Sequence, residues 1–266
     1  MNPIPLVPRE TWRFGTERIG RRILVYDHVD STNTLAMTLA QTEPDADGLV
    51  VVADHQVAGR GQYGRVWVSR PGSSLLMSAV IRPPAELRRP VILTALATVA
   101  VAKTVRALTG VEPVIKWPND LLVRSKKVCG ILIEQSSTAT GMTTVAGIGL
   151  NVAQTADEFA QANLPDATSL TAIAGKPLDT RTAAKLVTES LDREYSRLLT
   201  GERAGVEADW KQRTELVGRR VAIEHFGGEI SVGHLRDMAF DGLEVEDANG
   251  VTRVLVPESV SHIRAV

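Results

Sequence analysis

The spacing of the predicted strands changes near residue 217, and this change limits the folds that the chain can adopt. Before it, strand-like apolar segments alternate with segments of helical periodicity. After it, five short strand-like segments follow within about 50 residues, separated by turn signals such as the Asn-Gly pair in DANG, residues 247–250. The pattern predicts an α+β domain over residues 1–214 and a small β-barrel or SH3-like module over residues 215–266.

The α+β part is predicted to begin with an irregular arm, residues 1–20. Its predicted strands are 21–27, 49–55, 74–81, 114–117, 127–134 and 143–152, and its predicted helices are 30–41, 87–108, 181–200 and 202–213. Gly110 is expected to terminate the second helix as its C-cap. The Ser/Thr/Gly-rich stretch 135–142 is expected to be a hairpin loop.

Composition excludes several classes of protein. The 266 residues carry 30 basic and 31 acidic side chains, and this balance argues against a general nucleic-acid binder. Cys129 is the single cysteine, which excludes an intrachain disulfide and suits a reducing cytosol. The N-terminus lacks the apolar core of a secretory signal, and the longest apolar stretch, residues 91–102, is shorter than the roughly 20 residues that a membrane span needs. We therefore expect a cytoplasmic protein that does not associate with membranes.

A glycine-rich basic loop, AGRGQYGRVW at residues 58–67, follows the second predicted strand. Glycines let a backbone approach a ligand closely, and arginines offer fixed-charge donors for carboxylate or phosphate. A tryptophan offers a flat face for a base. The loop is therefore expected to close over an anionic ligand, with Gly59, Arg60, Gly61, Gly64, Arg65 and Trp67 as its notable residues.

Four further stretches carry polar groups at predicted element ends, and each also has a purely structural explanation. DSTN (30–33) can cap a helix or present its side chains to a neutral ligand. KWPND (116–120) can be a turn or a group of ligand-binding residues at a strand end. In KVCGILIE (127–134), Lys127 can be a solvated lysine, while Gly130 within a strand indicates close approach by a ligand. GIGLNV (147–152) lacks the spacing of a dinucleotide-binding motif.

The order of these stretches resembles that of the biotin–protein ligases, from about residue 24 to the C-terminus. The resemblance implies a mixed sheet packed on helices, as in class II synthetases, with a small SH3-like barrel at the C-terminus. It also implies an ATP-dependent ligase that makes biotinyl-5′-adenylate and transfers biotin to a lysine of a biotin carboxyl carrier domain. The nearest alternative is a lipoate or octanoyl ligase or transferase of the same fold, and another is a non-catalytic binding protein.

The resemblance also implies roles for individual residues. Lys127 and Arg60 are expected to be catalytic, because cations must neutralise the biotin carboxylate and the α-phosphate of ATP. The expected biotin-binding residues are Ser31, Thr32, Asn33, Gln56, Arg60, Gly61, Gln62, Lys127 and Gly130. The expected ATP-binding residues are Arg65, Trp67, Lys116, Asn119 and Asn151. We expect Mg²⁺ to be held by the triphosphate and water, with no metal site on the protein.

The chain departs from the family pattern in two respects. Gln62 stands where the family often has arginine, which removes one cation from the loop. Only about 20 residues precede the resemblance, too few for the DNA-binding domain of some bacterial members. We therefore expect the ligase-only type, without DNA binding. The sequence leaves a homodimer open.

Overall fold

A mixed eight-stranded sheet forms the centre of the larger part of the computed structural model, which describes residues 7–138 and 141–266. Its strands are β1 (Glu10–Trp12), β2 (Arg22–Val29), β3 (Leu49–Gln56), β4 (Ser74–Ile81), β5 (Val114–Lys116), β6 (Asp120–Val123), β7 (Lys126–Thr138) and β8 (Gly141–Asn151). Their spatial order is β1-β2-β3-β4-β8-β7-β6-β5. The β2–β3 pair is parallel, and the other neighbouring pairs are antiparallel. The predicted mixed sheet is confirmed.

Helices cover both faces of this sheet. They are α1 (Thr32–Thr42), α2 (Pro90–Thr109), α3 (Ala156–Gln161), α4 (Leu170–Ala174), α5 (Thr180–Leu199) and α6 (Arg203–Thr214). Alternate strand residues point to opposite faces. Accordingly, Val50 and Val52 pack in the core that contains α2 and α5, whereas Val51 and Ala53 pack in a smaller core with α1.

Helix α2 is the central helix of the larger core. Pro90 occupies its first turn, and Gly110 ends it in the left-handed conformation with φ 74°, as predicted. The buried hydroxyls of Thr98 and Thr104 donate to the carbonyls of Thr94 and Ala100, at 2.9 and 3.1 Å. By length and mean hydropathy α2 could cross a membrane, but 72% of its most apolar window is buried inside the protein. Such burial is typical of a core helix.

A second, antiparallel sheet follows the helices. It contains β9 (Arg220–His225), β10 (Ile230–Met238), β11 (Leu243–Glu246), β12 (Thr252–Leu255) and β13 (Val260–Ala265), in the order β12-β11-β10-β9-β13. The five predicted strands are thus confirmed. Within the described ranges no ladder joins β12 to β13, so the sheet fits a small SH3-like domain whose barrel is not closed.

The predicted DANG hairpin joins β11 to β12. The Asp247 carboxylate accepts hydrogen bonds from the backbone amides of Asn249 (2.8 Å) and Val251 (3.1 Å). Gly250 has a positive φ of 79°, whereas Asn249 does not. The aspartate fixes the turn by an Asx-type arrangement.

The two sheets share one continuous hydrophobic core. The Trp210 ring of α6 lies between the rings of Trp117 and Phe240, at centroid distances of 5.8 and 5.4 Å. The indole Nε1 of Trp117 donates to the Val260 carbonyl at 3.1 Å. A division of the chain between residues 214 and 215 stays a prediction, and it would fall between α6 and β9.

Three local predictions need correction. The predicted irregular arm contains β1, because Glu10, Thr11 and Trp12 form a short edge strand that pairs with β2. Residues 1–6 of the arm lie outside the described part. The predicted loop 135–142 is largely strand, since β7 and β8 pair as far as Thr138 and Gly141. Residues 139–140 of that loop are outside the described residues. Strand β6 was not predicted; it pairs with β7 across a two-residue turn in which Arg124 and Ser125 both adopt positive φ, which their residue types do not indicate.

Candidate functional site

One cavity of about 260 Å³ lies where α1 begins, β3 ends and the chain between β3 and β4 folds back over β7 and β8. We name residues 57–73, between β3 and β4, the cationic loop. All fourteen predicted site residues line the cavity: Ser31, Thr32, Asn33, Gln56, Arg60, Gly61, Gln62, Arg65, Trp67, Lys116, Asn119, Lys127, Gly130 and Asn151. The fold thus brings together residues that are more than 100 positions apart in the chain, while their individual roles toward ligands stay predictions.

At one end of the cavity, α1 presents a buried polar corner. The Gln56 side-chain carbonyl accepts hydrogen bonds from the Thr32 backbone amide (2.8 Å) and hydroxyl (3.0 Å). The Ser78 hydroxyl lies 2.6 Å from Asn33 Oδ1 and 2.8 Å from Thr32 Oγ1, so its single proton serves one of the two. Ser31 occupies the N-cap position but makes no side-chain capping bond. Helix capping therefore does not explain the Ser31 hydroxyl.

The corner is connected to the cationic loop through Glu134. Its Oε2 atom accepts from Asn33 Nδ2 and from Arg60 Nη2, both at 2.8 Å. Arg60 also donates to the Thr34 hydroxyl at 3.2 Å. A Cβ atom at Gly147 would lie 2.1 Å from Asn33 Oδ1, so this strand residue must be glycine for the Asn33 amide to fit. Glu134 was quoted in the sequence motif but given no role.

At the other end, Lys127 is half-buried and paired. Its Nζ lies 2.7 Å from Asp120 Oδ1 and 5.6 Å from the centroid of the Trp67 ring. The side chain is 36% exposed. The solvated-lysine alternative therefore does not describe Lys127. An anion that enters the cavity would compete with Asp120 for a cation whose position is already fixed.

Two strand glycines make room for Trp67. A Cβ atom at Gly149 would lie 2.6 Å from Trp67 Cε2, and one at Gly130 would lie 3.1 Å from Trp67 Cζ3. Gly130 was expected to mark close approach by a ligand, but in this structure the approaching groups are the indole and the Lys127 side chain. Within residues 7–138 and 141–266, the buried indole Nε1 has no hydrogen-bond partner. A ligand or water that accepted this hydrogen bond would remove the cost of an unpaired donor.

The two predicted asparagines help to build the cavity wall. Asn119 Nδ2 donates to the Ile131 carbonyl at 2.5 Å. Asn151 Nδ2 donates to the Thr168 carbonyl at 3.1 Å, and its Oδ1 accepts from Gln154 at 3.2 Å. Both amides are therefore engaged within the protein, and their contacts with a nucleotide stay predictions.

The remaining cations differ in their access to the cavity. Lys116 and Arg65 line it with exposed side chains, whereas the exposed Arg124 and Lys126 are not among its lining residues in the described ranges. His262 of β13, which sequence analysis did not identify, also lines it, so the C-terminal sheet contributes to the wall.

Cys129 lies on β7, beside the cavity wall. Burial raises the pKa of its thiol far above the ordinary value, so it is not a candidate nucleophile.

Comparisons with known proteins agree on one family. The model of the biotin/lipoate A/B protein ligase family matches residues 25–151. The biotin--[acetyl-CoA-carboxylase] ligase of Mycobacterium tuberculosis is 34% identical over 251 residues, which are 92% of this chain and 90% of that protein. The bifunctional ligase/repressor BirA of Bacillus subtilis is 33% identical over 219 residues, or 81% of this chain and 67% of the relative.

The fold comparison points the same way. The structure of the biotin protein ligase from Aquifex aeolicus in complex with biotin and ATP superimposes with a TM-score of 0.73 and 25% sequence identity. The match covers 92% of this chain and 99% of that one. The chain therefore belongs to the biotin/lipoate A/B protein ligase family, among the biotin protein ligases.

Proposed function

We propose that the protein is a biotin protein ligase that activates biotin with ATP as biotinyl-5′-adenylate and transfers the biotinyl group to a lysine of an acceptor protein. One observation carries the proposal: a neutral polar corner and a set of cations line the same cavity. The identity with the Mycobacterium tuberculosis ligase over most of both chains supports it.

The buried corner favours biotin over lipoate or octanoate. The ureido ring of biotin carries two N–H donors and one carbonyl acceptor and has no net charge. Ser31, Thr32 and Asn33 offer hydroxyl and amide groups of matching type in a largely buried setting. The dithiolane of lipoate and the alkyl chain of octanoate offer no hydrogen-bonding groups, so they would exclude water from the Ser31 hydroxyl, which makes no capping bond, without replacing that hydrogen bond. The apolar wall formed by Ile131 and Ile148 suits the thiolane ring and the valeryl chain.

The cations have a direct function in the first step. A carboxylate oxygen of biotin forms a bond to the α-phosphorus of ATP as the bond to pyrophosphate breaks, and both reactants are anionic. Lys127 and Arg60 are proposed to hold the reacting groups together and to stabilise charge on the phosphoryl oxygens. Lys116 and Arg65 are proposed to face the phosphates, and Trp67 the adenine. In the second step the amine of the acceptor lysine attacks the acyl carbon and releases AMP.

Mg²⁺ is proposed to accompany ATP as a phosphate-bound ion. Among the described residues there is no group of three or more His, Cys, Asp or Glu side chains arranged to hold a metal. Mg²⁺ commonly keeps several waters and is bound through substrate phosphates, so the residues of this cavity fit a metal that arrives with its nucleotide. The ion would supply charge neutralisation at the phosphates.

The proposed acceptor is the biotin carboxyl carrier protein of a biotin-dependent carboxylase, since the named relatives act on acetyl-CoA carboxylase. We further propose a cytoplasmic enzyme that works without DNA or membranes. The near-zero net charge and the single buried cysteine support this proposal.

The test is an avidin blot of an apo acceptor domain after incubation with the protein, ATP, Mg²⁺ and biotin. We expect a biotin-dependent signal, with pyrophosphate released when biotin is supplied and not when lipoate or octanoate replaces it. Pyrophosphate release with lipoate or octanoate and not with biotin would favour the alternative function, and no pyrophosphate release with any of the three acids would contradict the proposal.

A further inference from the structure

The tip of the cationic loop rests on the C-terminal sheet through Tyr63. This residue has φ 57° and ψ 38°, in the left-handed region that bulky side chains rarely adopt. The conformation carries a cost that contacts of the side chain must offset. Tyr63 therefore depends on contacts of its side chain to hold this conformation, which glycine or asparagine would adopt at lower cost.

Two rings from the C-terminal sheet supply that partner. The Phe226 ring, from the turn between β9 and β10, lies 5.9 Å from the Tyr63 ring at an interplanar angle of 67°. The His262 ring on β13 lies 6.3 Å away at 84°. Both arrangements are edge-to-face, a geometry that aromatic pairs prefer. We name these three residues the aromatic latch.

The latch is coupled to the cavity by the backbone of the loop. Arg60 and Val66 form a β-bridge, the Gly61 amide donates to the Arg65 carbonyl at 2.7 Å, and the Trp67 amide donates to the Gly59 carbonyl at 3.0 Å. The loop is thus a small hairpin with Tyr63 at its tip. Whatever holds Tyr63 also holds the cavity-lining arginines and tryptophan on the two arms.

A cavity of about 220 Å³ lies between Tyr63 and Phe226 and the core residues Val91 and Trp210. Tyr63 and Phe226 remain 54% and 55% exposed. The loop tip is therefore held by ring edges rather than by a packed core, which suits a contact that must break when ligands enter or leave.

We propose that Tyr63 and Phe226, with His262 as the second contact, are positioning residues for the ligase reaction. Through them the C-terminal sheet holds the cationic loop over the cavity and sets how long biotinyl-adenylate is retained. This inference rests on the proposed function, since it takes the retained ligand to be the adenylate.

The first experiment needs no ligand. Limited trypsin digestion of the full chain reports opening of the loop, because Arg60 and Arg65 are exposed within it. We expect cleavage there to accelerate roughly two- to tenfold in both Tyr63→Ala and Phe226→Ala, the range that one aromatic contact provides. Tyr63→Phe keeps the ring and should behave as wild type. Ile230→Ala, at an exposed apolar residue of the same sheet, is the matched control.

The second experiment measures dissociation of purified biotinyl-adenylate from the same variants. We expect release to accelerate by a similar factor in Phe226→Ala and at least as much in Tyr63→Ala, which also loses the His262 contact. The double variant should release no faster than Tyr63→Ala, because that single change already removes both contacts. Unchanged loop cleavage and unchanged release in Phe226→Ala would overturn the latch. If the wild-type protein does not bind the adenylate at all, the proposed function fails, whereas faster trypsin cleavage in Phe226→Ala would still establish the contact.

Discussion

The two ends of the cavity are built in different ways. At the biotin end, which α1 forms, the polar groups are hydrogen-bonded before any ligand arrives. Thr32 is bonded to Gln56, and Asn33 is bonded to buried Ser78 and half-buried Glu134. At the nucleotide end, Lys116 and Arg65 are exposed and have no salt bridge within the described part of the chain, and Trp67 keeps an unpaired indole N–H. The biotin end is therefore preorganised and neutral. The nucleotide end is cationic, and its charged and donor groups are left for a ligand to pair.

The difference follows from what each end is proposed to recognise. A neutral ring is distinguished by hydrogen bonds of modest strength, so its site gains specificity only if donors and acceptors are fixed in advance. A triphosphate is attracted by charge, which acts over several ångströms and tolerates mobile side chains. Changes at the two ends should therefore have separable effects on the two substrates.

The largest effect is expected from the loss of the Lys127 side chain. Lys127→Ala removes a cation that is proposed to stabilise the transition state, and the loss of one such group typically costs about 10²–10³ in rate. Pyrophosphate release with biotin should fall by that order, measured well below the melting temperature of the variant because it also loses the ion pair with Asp120. The matched control is Lys126→Ala, which removes the neighbouring exposed cation outside the cavity. Equal rates for the two variants would remove Lys127 from the catalytic residues.

Two glycines on β8 allow each end to be disturbed separately. Gly147→Ala should displace Asn33, whereas Gly149→Ala should displace Trp67. Overpacking typically costs about 1–3 kcal/mol. Each substitution should therefore weaken binding of the substrate at its own end of the cavity roughly tenfold or more. Calorimetric titrations should show weaker biotin binding in the first variant and weaker ATP binding in the second. If either variant weakened both substrates equally, the two ends would not be separable.

The origin of these contacts shows what the sequence could and could not predict. The motifs identified Lys127, Trp67 and Asn33, because their residue types match the chemistry and lie at element ends. Ser78 was given no site role and Asp120 was considered only within KWPND, because their contacts depend on cross-strand register, Ser78 opposite Gly147 and Asp120 opposite Gly130. Register depends on the whole sheet.

The sequence did not indicate the aromatic latch, for a similar reason. Phe226 and His262 lie more than 150 residues from Tyr63 and meet it only once the C-terminal sheet is folded against α2 and α6. The short strand β1 and the continuation of β7 and β8 through a Ser/Thr-rich stretch likewise depend on neighbouring strands, which override local turn signals.

A smaller effect is expected from adding charge to the loop. Gln62 lines the cavity, whereas in the described part of the chain Arg124 and Lys126 do not, so Gln62→Arg should strengthen retention of the anionic adenylate. A charged partner adds about 1 kcal/mol over a neutral one, which corresponds to slower adenylate release by a factor of about five to ten. Gln62→Glu, of opposite charge, should release it faster. Equal release from all three proteins would show that position 62 does not contact the adenylate.

The salt dependence of binding tests the contrast between the ends most directly. Biotinol, the uncharged alcohol analogue of biotin, reports the neutral end alone, and ATP reports the cationic end. Between about 0.05 and 0.5 M NaCl, screening should weaken ATP binding roughly threefold or more and change biotinol binding by less than about 1.5-fold. Titration calorimetry of both ligands across this range would give that result if the account is correct. Parallel salt dependence of the two ligands, or ATP binding that does not respond to salt, would contradict it.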